Sequence, residues 1–318
     1  MCDVVALGEL LIDFACVKTD DDGYPTMAAH PGGAPANFLA ALAKFGVSTA
    51  LLGKVGGDAF GRLLTNTLKQ AEIDAGGIVV DENVFTTLAF VTLDSTGDRS
   101  FSFARKPGAD TQLRFEEINL KLIDSAKVFH FGTLSLTDEP ARSATYQAVT
   151  YAKEKGKLIT FDPNLRKPLW ADLATAKDQM LWGLSHADVV KISDEEVEFL
   201  FGLGVEDGAK HILSAYDVKL VFVTCGPKGC YYSNGLACGM VPSLQDIPVV
   251  DTTGAGDIFG GSAVYGLLQI GKAPESLTTD ELVKIVTFAC TAAGLSTTKS
   301  GGMSSVPSMD EVTKYLAE

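Results

Sequence analysis

The sequence predicts an α/β fold in three layers, with a mostly parallel sheet between two sets of helices and a small separate β-sheet. Three observations carry that prediction. From Phe115 onward, apolar strands at Val128–Phe131, Leu158–Phe161, Val189–Ile192 and Leu220–Thr224 are interleaved with amphipathic helical stretches at Pro140–Lys155, Ala174–Ser185 and Glu195–Phe201. Repeated strand–helix–strand units bury a parallel sheet under helices on both faces. Earlier in the chain, Thr87–Leu93 and Arg99–Arg105 alternate with period two about Asp94-Ser95-Thr96-Gly97-Asp98, the pattern of a hairpin. Late in the chain, Val249–Ala263 joins a short apolar strand to a helix through the small residues Gly254, Ala255 and Gly256.

The elements follow in order. Val4 to Cys16 reads as an apolar strand with Gly8 at its middle and Asp13 toward its far end. A loop-rich piece from Thr19 to Pro31 leads to Gly32-Gly33-Ala34-Pro35-Ala36-Asn37. Pro35 suits the start of a helix, and Phe38, Leu39, Leu42 and Phe45 recur at helical spacing until Gly46 ends it, which leaves Asn37 one turn inside. Asp58 is a helix cap, the helix runs to Ala71, and Gly76-Gly77 reads as a turn. The last helix spans about 280–298 and contains the small-residue run Ala289-Cys290-Thr291-Ala292-Ala293-Gly294. Gly266–Ala273 nearly spells a phosphate-binding Walker A loop, but it lacks the final Ser or Thr and follows a helix instead of a strand, so it is rejected.

Chemistry belongs at the Gly254–Asp257 turn. Glycines leave main-chain N–H groups uncovered at the start of a helix, where the macrodipole also favours negative charge, so the turn can hold a phosphate or a developing oxyanion. Asp257, in the first helical turn, is close enough to take a proton from a hydroxyl held there. The bland alternative is that Asp257 complements the helix dipole and the glycines tighten a connection. In open α/β sheets ligands bind beyond the carboxyl ends of the strands. There the chain puts Asp162-Pro163-Asn164-Leu165-Arg166, Ser193-Asp194-Glu195-Glu196, Cys225-Gly226-Pro227-Lys228-Gly229 and Asp251–Asp257. Each has a mundane reading as a cap, a first-turn acid or a hairpin turn.

Composition bounds the rest. The chain has 318 residues, 46% hydrophobic and 21% charged, enough for a large core. A net charge of -14 opposes nucleic-acid binding, and no basic patch offsets it. No apolar run is long enough to span a bilayer, and Met1-Cys2-Asp3-Val4-Val5 lacks a basic leader, so a cytoplasmic location with neither membrane nor nucleic-acid partner is expected. Six scattered cysteines read as reduced, mostly buried thiols, and neither they nor the four histidines have zinc-site spacing.

The run D-T-T-G-A-G-D-x-F-x-G at 251–261 resembles the C-terminal signature of the PfkB or ribokinase family of carbohydrate kinases. G-G-A-P-A-N at 32–37, continuing into G-K-V-G-G-D-x-F-G at 53–61, resembles the family's N-terminal signature. Both stand in the right order some two hundred residues apart, and the likeness covers nearly the whole chain, most closely the fructokinase branch. It implies a ribokinase-like three-layer α/β/α sandwich, with residues 1–12, 32–83 and 111–318 forming the main domain. Residues 13–31 and 84–110 would form a small β lid over the sugar, and the lid would pair two copies as a homodimer.

The resemblance also implies roles. Asp257 would be the general base, with the Gly254, Ala255 and Gly256 amides as the anion hole. Asp13, Gly32, Gly33, Asn37, Arg105, Asn164 and Arg166 would contact the sugar. Thr224, Gly226, Lys228 and Gly229 would follow the nucleotide phosphates. Cys290, where the family commonly has Asn, would stand by the adenine. Glu196 would organise magnesium through water, although Ser193 replaces the Asn of the family's N-x-x-E motif. Asp251 and Thr253, with the loop at Ser300-Gly301-Gly302-Met303, would hold a monovalent cation such as potassium. The implied reaction is transfer of the ATP γ-phosphoryl group to the 6-hydroxyl of D-fructose. The rivals are a kinase for ribose, 2-keto-3-deoxygluconate or adenosine, and a catalytically silent sugar-binding scaffold.

Overall fold

The computed structural model describes residues 2–93 and 99–317. Its centre is a nine-stranded sheet of β1 (Val4–Leu7), β4 (Thr49–Gly56), β5 (Ile73–Asp81), β8 (Val128–Gly132), β9 (Leu158–Asp162), β10 (Val189–Ser193), β11 (Leu220–Thr224), β12 (Cys230–Ser233) and β13 (Cys238–Val241). The spatial order is β13-β12-β11-β10-β9-β8-β1-β4-β5, and only β12 runs antiparallel to its neighbours. A second sheet, ordered β3-β2-β6-β7, contains β2 (Leu11–Thr19), β3 (Pro25–Gly32), β6 (Leu88–Leu93) and β7 (Arg99–Ala104).

Side-chain parity divides the core between the two faces of the large sheet. Val5 and Leu7 of β1, Phe129 and Phe131 of β8, Ile159 and Phe161 of β9, and Val190 and Ile192 of β10 point to one face. That face is covered by α4 (Ala141–Glu154), α5 (Leu173–Leu184), α6 (Asp194–Phe201) and α7 (Val205–Tyr216), with the short α3 (Leu120–Ser125) at its margin. Val4, Ala6 and Val128 point the other way, toward α1 (Ala34–Lys44), α2 (Ala59–Gln70) and α8 (Ala255–Ile270). On the same side α9 (Thr279–Ser296) packs with α8 over β10, β11 and β12, and α10 (Met309–Ala317) closes the chain. The three-layer reading therefore holds, with the four expected strands and three expected helices in place.

Four expectations need correction. Val4 to Cys16 is two strands in two different sheets, because the chain leaves β1 at Gly8 and enters the small sheet at Leu11. Gly76 and Gly77 lie inside β5 instead of in a turn. A Cβ at Gly77 would stand 2.5 Å from the Leu51 carbonyl oxygen, and the β4–β5 register shifts beside this close approach. Val249 and Val250 form no strand, since the N–H groups of Val250 and Asp251 are drawn to the Thr297 carbonyl at the end of α9. The helix ending near residue 298 is not the last, because α10 follows it. The hairpin strands at 87–105 pair as expected, with Leu88 opposite Ala104, while the turn at 94–98 lies outside the described residues.

Asp58 shows how local chemistry ties layers together. Its Oδ1 accepts from the N–H groups of Phe60 and Gly61 at 2.8 and 2.9 Å, capping α2, and its Oδ2 accepts from the Thr86 N–H at 2.8 Å, just before β6. Asp58→Ala removes the cap and the tie together and is expected to cost roughly 2 kcal/mol. A urea unfolding midpoint unchanged from wild type would contradict this.

Candidate active site

The parity that fills the core also builds the site. On β8, β9 and β10 the positions facing α1 and α8 are not all apolar: His130, Thr160, Asp162 and Lys191 occupy them. Adjacent strands carry them in register, with His130 opposite Thr160 and Thr160 opposite Val189, so Asp162 and Lys191 meet at the carboxyl ends of β9 and β10. Lys191 Nζ donates to Asp162 Oδ2 at 2.8 Å, and His130 Nδ1 bonds Thr160 Oγ1 at 3.0 Å beneath the ring of Phe38.

Over this stripe sits the N-terminus of α8. Gly254, its N-cap, has φ 78°, a left-handed conformation in which a Cβ is strained. A Cβ at Gly256 would come within 3.1 Å of Lys191 Nζ. The Ala255 N–H reaches the Thr252 carbonyl at 3.3 Å. Among the described residues no protein acceptor meets the N–H groups of Gly254, Gly256 or Asp257, the donors that a helix start leaves for a ligand.

Asp257 is 9% exposed, and its Oδ2 accepts from Asn37 Nδ2 at 2.9 Å, which joins the two glycine-rich signatures directly. Asn37 Oδ1 is buried without a partner. Gly33 caps α1 without a side chain, and the Ala34 N–H is met by Glu9 Oε1 at 2.8 Å. The Asp13 carboxylate lies against Gly32 and accepts no hydrogen bond from the described residues, so it stands ready for an outside donor. Its charge is felt with those of Arg166, Asp257 and Asp251, so the four groups lie in one electrostatic neighbourhood.

The neighbouring loops are knitted by carboxylates. Asp162 Oδ1 accepts from the Asn164 N–H at 3.2 Å, and Asn164 takes the left-handed φ of 44°. Arg166 is exposed beyond it. Glu196 accepts from the Leu165 N–H at 2.7 Å and, as half of a capping box with Ser193, from the Ser193 N–H at 2.8 Å. Asp251 Oδ1 accepts from Thr253 N–H and Oγ1 at 2.9 and 2.7 Å, and its Oδ2 accepts from the Gly301 N–H at 3.0 Å, so one carboxylate joins the two loops. Thr224 ends β11, and Gly226, Lys228 and Gly229 form the turn into β12 with the Lys228 side chain in solvent.

Two of the expected contact residues have internal partners of their own. Arg105 is buried and donates to Asp110 Oδ2, Thr137 Oγ1 and the Leu134 carbonyl at 2.8, 2.7 and 2.8 Å, with a further ion pair to Asp138. Its guanidinium anchors the chain leaving β7. Cys290 packs in the apolar cluster with Cys230, Val241, Phe259 and Ala263, and burial pushes its thiol up to about 12, so it acts there as a small hydrophobe.

The electrostatics follow from burial. Burial raises Asp257 above the usual carboxylate range, opposed by Lys191, Asn37 and Arg166. Asp13 rises to about 6 through burial, opposed by Arg166 and reinforced by Asp257 and Asp251. Asp162 also rises to about 6 by burial, against the pull of Lys191. Burial works against the Lys191 charge, but Asp162, Glu196 and Asp257 outweigh it and raise that group. His130 falls to about 3, first by burial and then by Lys191, and stays neutral. Asp162, Glu196 and Asp257 thus share the positive charge of Lys191, an excess of negative charge that suits a divalent cation. Among the described residues no cluster of His, Cys, Asp and Glu forms a direct metal cage. The donor set therefore fits a cation held through water and phosphate oxygens, as magnesium is commonly held.

Sequence reasoning did not single out Lys191, Asp162 or Glu9 as site residues. The signal was present for two of them, a charge within the apolar runs V-V-K-I and L-G-E-L-L.

The pfkB family carbohydrate kinase pattern matches residues 1–309. Fructokinase-1 of Zea mays is 43% identical over 319 residues, covering 98% of this chain and 97% of that protein. The ATP-bound fructokinase structure from Xylella fastidiosa superposes with a TM-score of 0.91 at 30% identity and covers all of both chains. A Vibrio cholerae O395 fructokinase double mutant, solved with fructose, ADP and potassium ion, gives 0.87 at 31% identity over 99% of this chain and 98% of that one.

The elevated Asp13 makes a thermodynamic prediction. A carboxylate whose folded value is raised favours folding below its unfolded value, and that contribution is lost as pH rises through the folded one, here from about 4 to about 6. Asp13→Asn removes the loss and is expected to stabilise the ligand-free protein at pH 7.5 by on the order of 1–2 kcal/mol, with a smaller gain at pH 5. Equal unfolding midpoints for variant and wild type at pH 7.5 would refute it.

Proposed function

The chain belongs to the pfkB family of carbohydrate kinases and is an ATP-dependent sugar kinase, and on that premise we propose that it transfers the ATP γ-phosphoryl group to the 6-hydroxyl of D-fructose, giving fructose 6-phosphate and ADP. The observation that carries this reading is Asp257, held by Asn37 at 2.9 Å beside the unpaired N–H groups at the start of α8. A buried carboxylate next to a cradle of main-chain donors is what alcohol activation and phosphoryl stabilisation require.

Asp257 takes the hydroxyl proton as the sugar oxygen bonds to the γ-phosphorus and the bond to the ADP oxygen breaks. The turn amides from Gly254 to Gly256, with that of Asp257, stabilise the charge on the phosphoryl oxygens. Asp13, which has no hydrogen-bond partner among the described residues, accepts from sugar hydroxyls, and Asn37 Oδ1, likewise unpartnered among them, accepts another. Gly32 and Gly33 let the sugar approach the main chain, while Asn164 and Arg166 stand by the transferred group. Thr224, Gly226, Lys228 and Gly229 follow the nucleotide phosphates. Magnesium, when bound, neutralises the β- and γ-phosphates, and Glu196 would hold its waters with the lone pairs left by its two main-chain bonds. Potassium is assigned to Asp251 and Thr253, whose loop is already fastened to Gly301. The small sheet serves as a lid, and its exposed Val17 (65%) and Tyr24 (72%) support pairing of two copies there.

A panel of fructose, ribose, 2-keto-3-deoxygluconate and adenosine, read by ADP release with and without magnesium, tests the substrate. Fructose should give the highest kcat/KM, and preference for another acceptor would overturn the assignment. Asp257→Asn should leave a folded protein with kcat lowered about 10²- to 10⁴-fold. Near-normal turnover would remove Asp257 from the mechanism.

A further inference from the structure

Lys191 is an expensive residue where it stands. Its side chain is 13% exposed, in a strand whose other side chains are mostly apolar, and its ammonium lies under the first turn of α8, where the helix dipole disfavours a cation. Removing such a charge from water costs several kcal/mol unless its partners compensate. The ion pair with Asp162 explains part of the compensation. It does not explain why the pair is pressed against Gly256, one residue before Asp257, where no side chain larger than hydrogen fits without displacing the ammonium.

The space between the groups is informative. A cavity of about 20 Å³ is lined by Lys191, Asp162, Asp257, Thr160 and His130 and closed by Phe38, Phe161 and Phe222. It has room for one water, with polar partners on several sides. Thr160 and neutral His130 carry no charge and Asp162 is an acid, so among the described residues Lys191 is the cation that shares this cavity with Asp257. The charged and titratable groups around Asp257 are Lys191 on β10, Asp162 on β9, neutral His130 on β8, Arg166 in the loop after β9 and Asp13 on β2, while α1 contributes the uncharged Asn37 and Glu196 on α6 acts on Lys191 and Asp162. Of the two cations, Arg166 is solvent-exposed at the rim and Lys191 is fixed.

We propose that Lys191 is a positioning residue for Asp257: its ammonium, locked by Asp162 beneath Gly256, supplies the fixed positive charge that holds the Asp257 carboxylate as an anion facing the opening. This rests on the reading of Asp257 as the general base. It also gives Gly256 a second reason to be glycine, beyond exposing its N–H: the residue leaves room for the ammonium.

The rival is that Lys191 only neutralises Asp162. The two accounts separate in a set of variants assayed with fructose and ATP: Lys191→Met, Lys191→Arg, the double variant Lys191→Met/Asp162→Asn, and Asp257→Asn. Lys191→Met should lower kcat about tenfold or more, with the sugar KM changed less than about threefold. It should also move the acid limb of the kcat/KM profile upward by about one pH unit, because Asp257 loses the cation that favours its charged form. Lys191→Arg should recover part of the loss. The double variant leaves no unpaired charge at this pair, so it provides a folded reference should Lys191→Met alone unfold, and it should stay slow. Recovery of wild-type turnover and acid limb in the double variant would overturn the proposal, as would a Lys191→Met enzyme within about threefold of wild type. If Asp257→Asn is slow while Lys191→Met is normal, only the present inference falls. If Asp257→Asn itself turns over normally, the general-base reading falls first.

Discussion

A carboxylate enclosed by hydrocarbon stays charged only if donors and opposite charge surround it, and the functional end of this protein is arranged around that requirement. Asp257 collects an amide from α1 and an ammonium from β10. The ammonium collects Asp162 from β9, and Asp162 holds the turn at Asn164. Glu196 pins the same loop through Leu165. No single element could provide this set. The parallel sheet brings the ends of β9 and β10 to one edge, and period-two parity puts the polar members on the face that α8 covers.

The same arrangement is costly to the fold. Glu9, Asp13 and Asp162 are all shifted upward by burial, to about 7, 6 and 6, so each opposes folding in its charged form. By contrast the capping carboxylates Glu281 and Glu311, bonded first to Lys272 and Lys299, are lowered to about 2 and stabilise the fold at neutral pH. Acids far from the opening support the structure, while acids around it burden the structure and leave chemistry available.

What the sequence revealed follows physical lines. Strands buried on both faces, such as Leu220–Thr224, are unbroken apolar runs and were legible. Nothing in a single run tells β1 from β2, because the corner is only Gly8-Glu9-Leu10 and apolar residues stand directly on both sides of it. Strand β4, second from the sheet edge, is interrupted by Gly53 and Lys54, and Lys54 is tolerated through Asp81 and Glu117 at 3.1 and 2.8 Å, partners 27 and 63 positions away, and through the Gln112 carbonyl at 3.1 Å. Asp257 with its glycine turn, and Asn37 with Gly32 and Gly33, each stand out because the small residues beside them in the chain mark a helix start. Lys191 and the anchoring of Arg105 do not, because their meaning depends on residues supplied by other strands and loops: Asp162 for the first, Thr137 and Asp138 for the second.

The corner at Gly8 also has a mechanical meaning. Only Gly8, Glu9 and Leu10 separate the large sheet from the small one, and Gly33 alone separates the small sheet from α1. Glu9, in the first connection, is fastened to Ala34 at the end of the second. Tilting the four-stranded sheet would therefore pull on these two of its connections at one point, about a turn of helix from the amide that grips Asp257. The small sheet is geared to the start of α1 through a fulcrum of a few residues, so a load placed on Asp13 would be felt at Asn37.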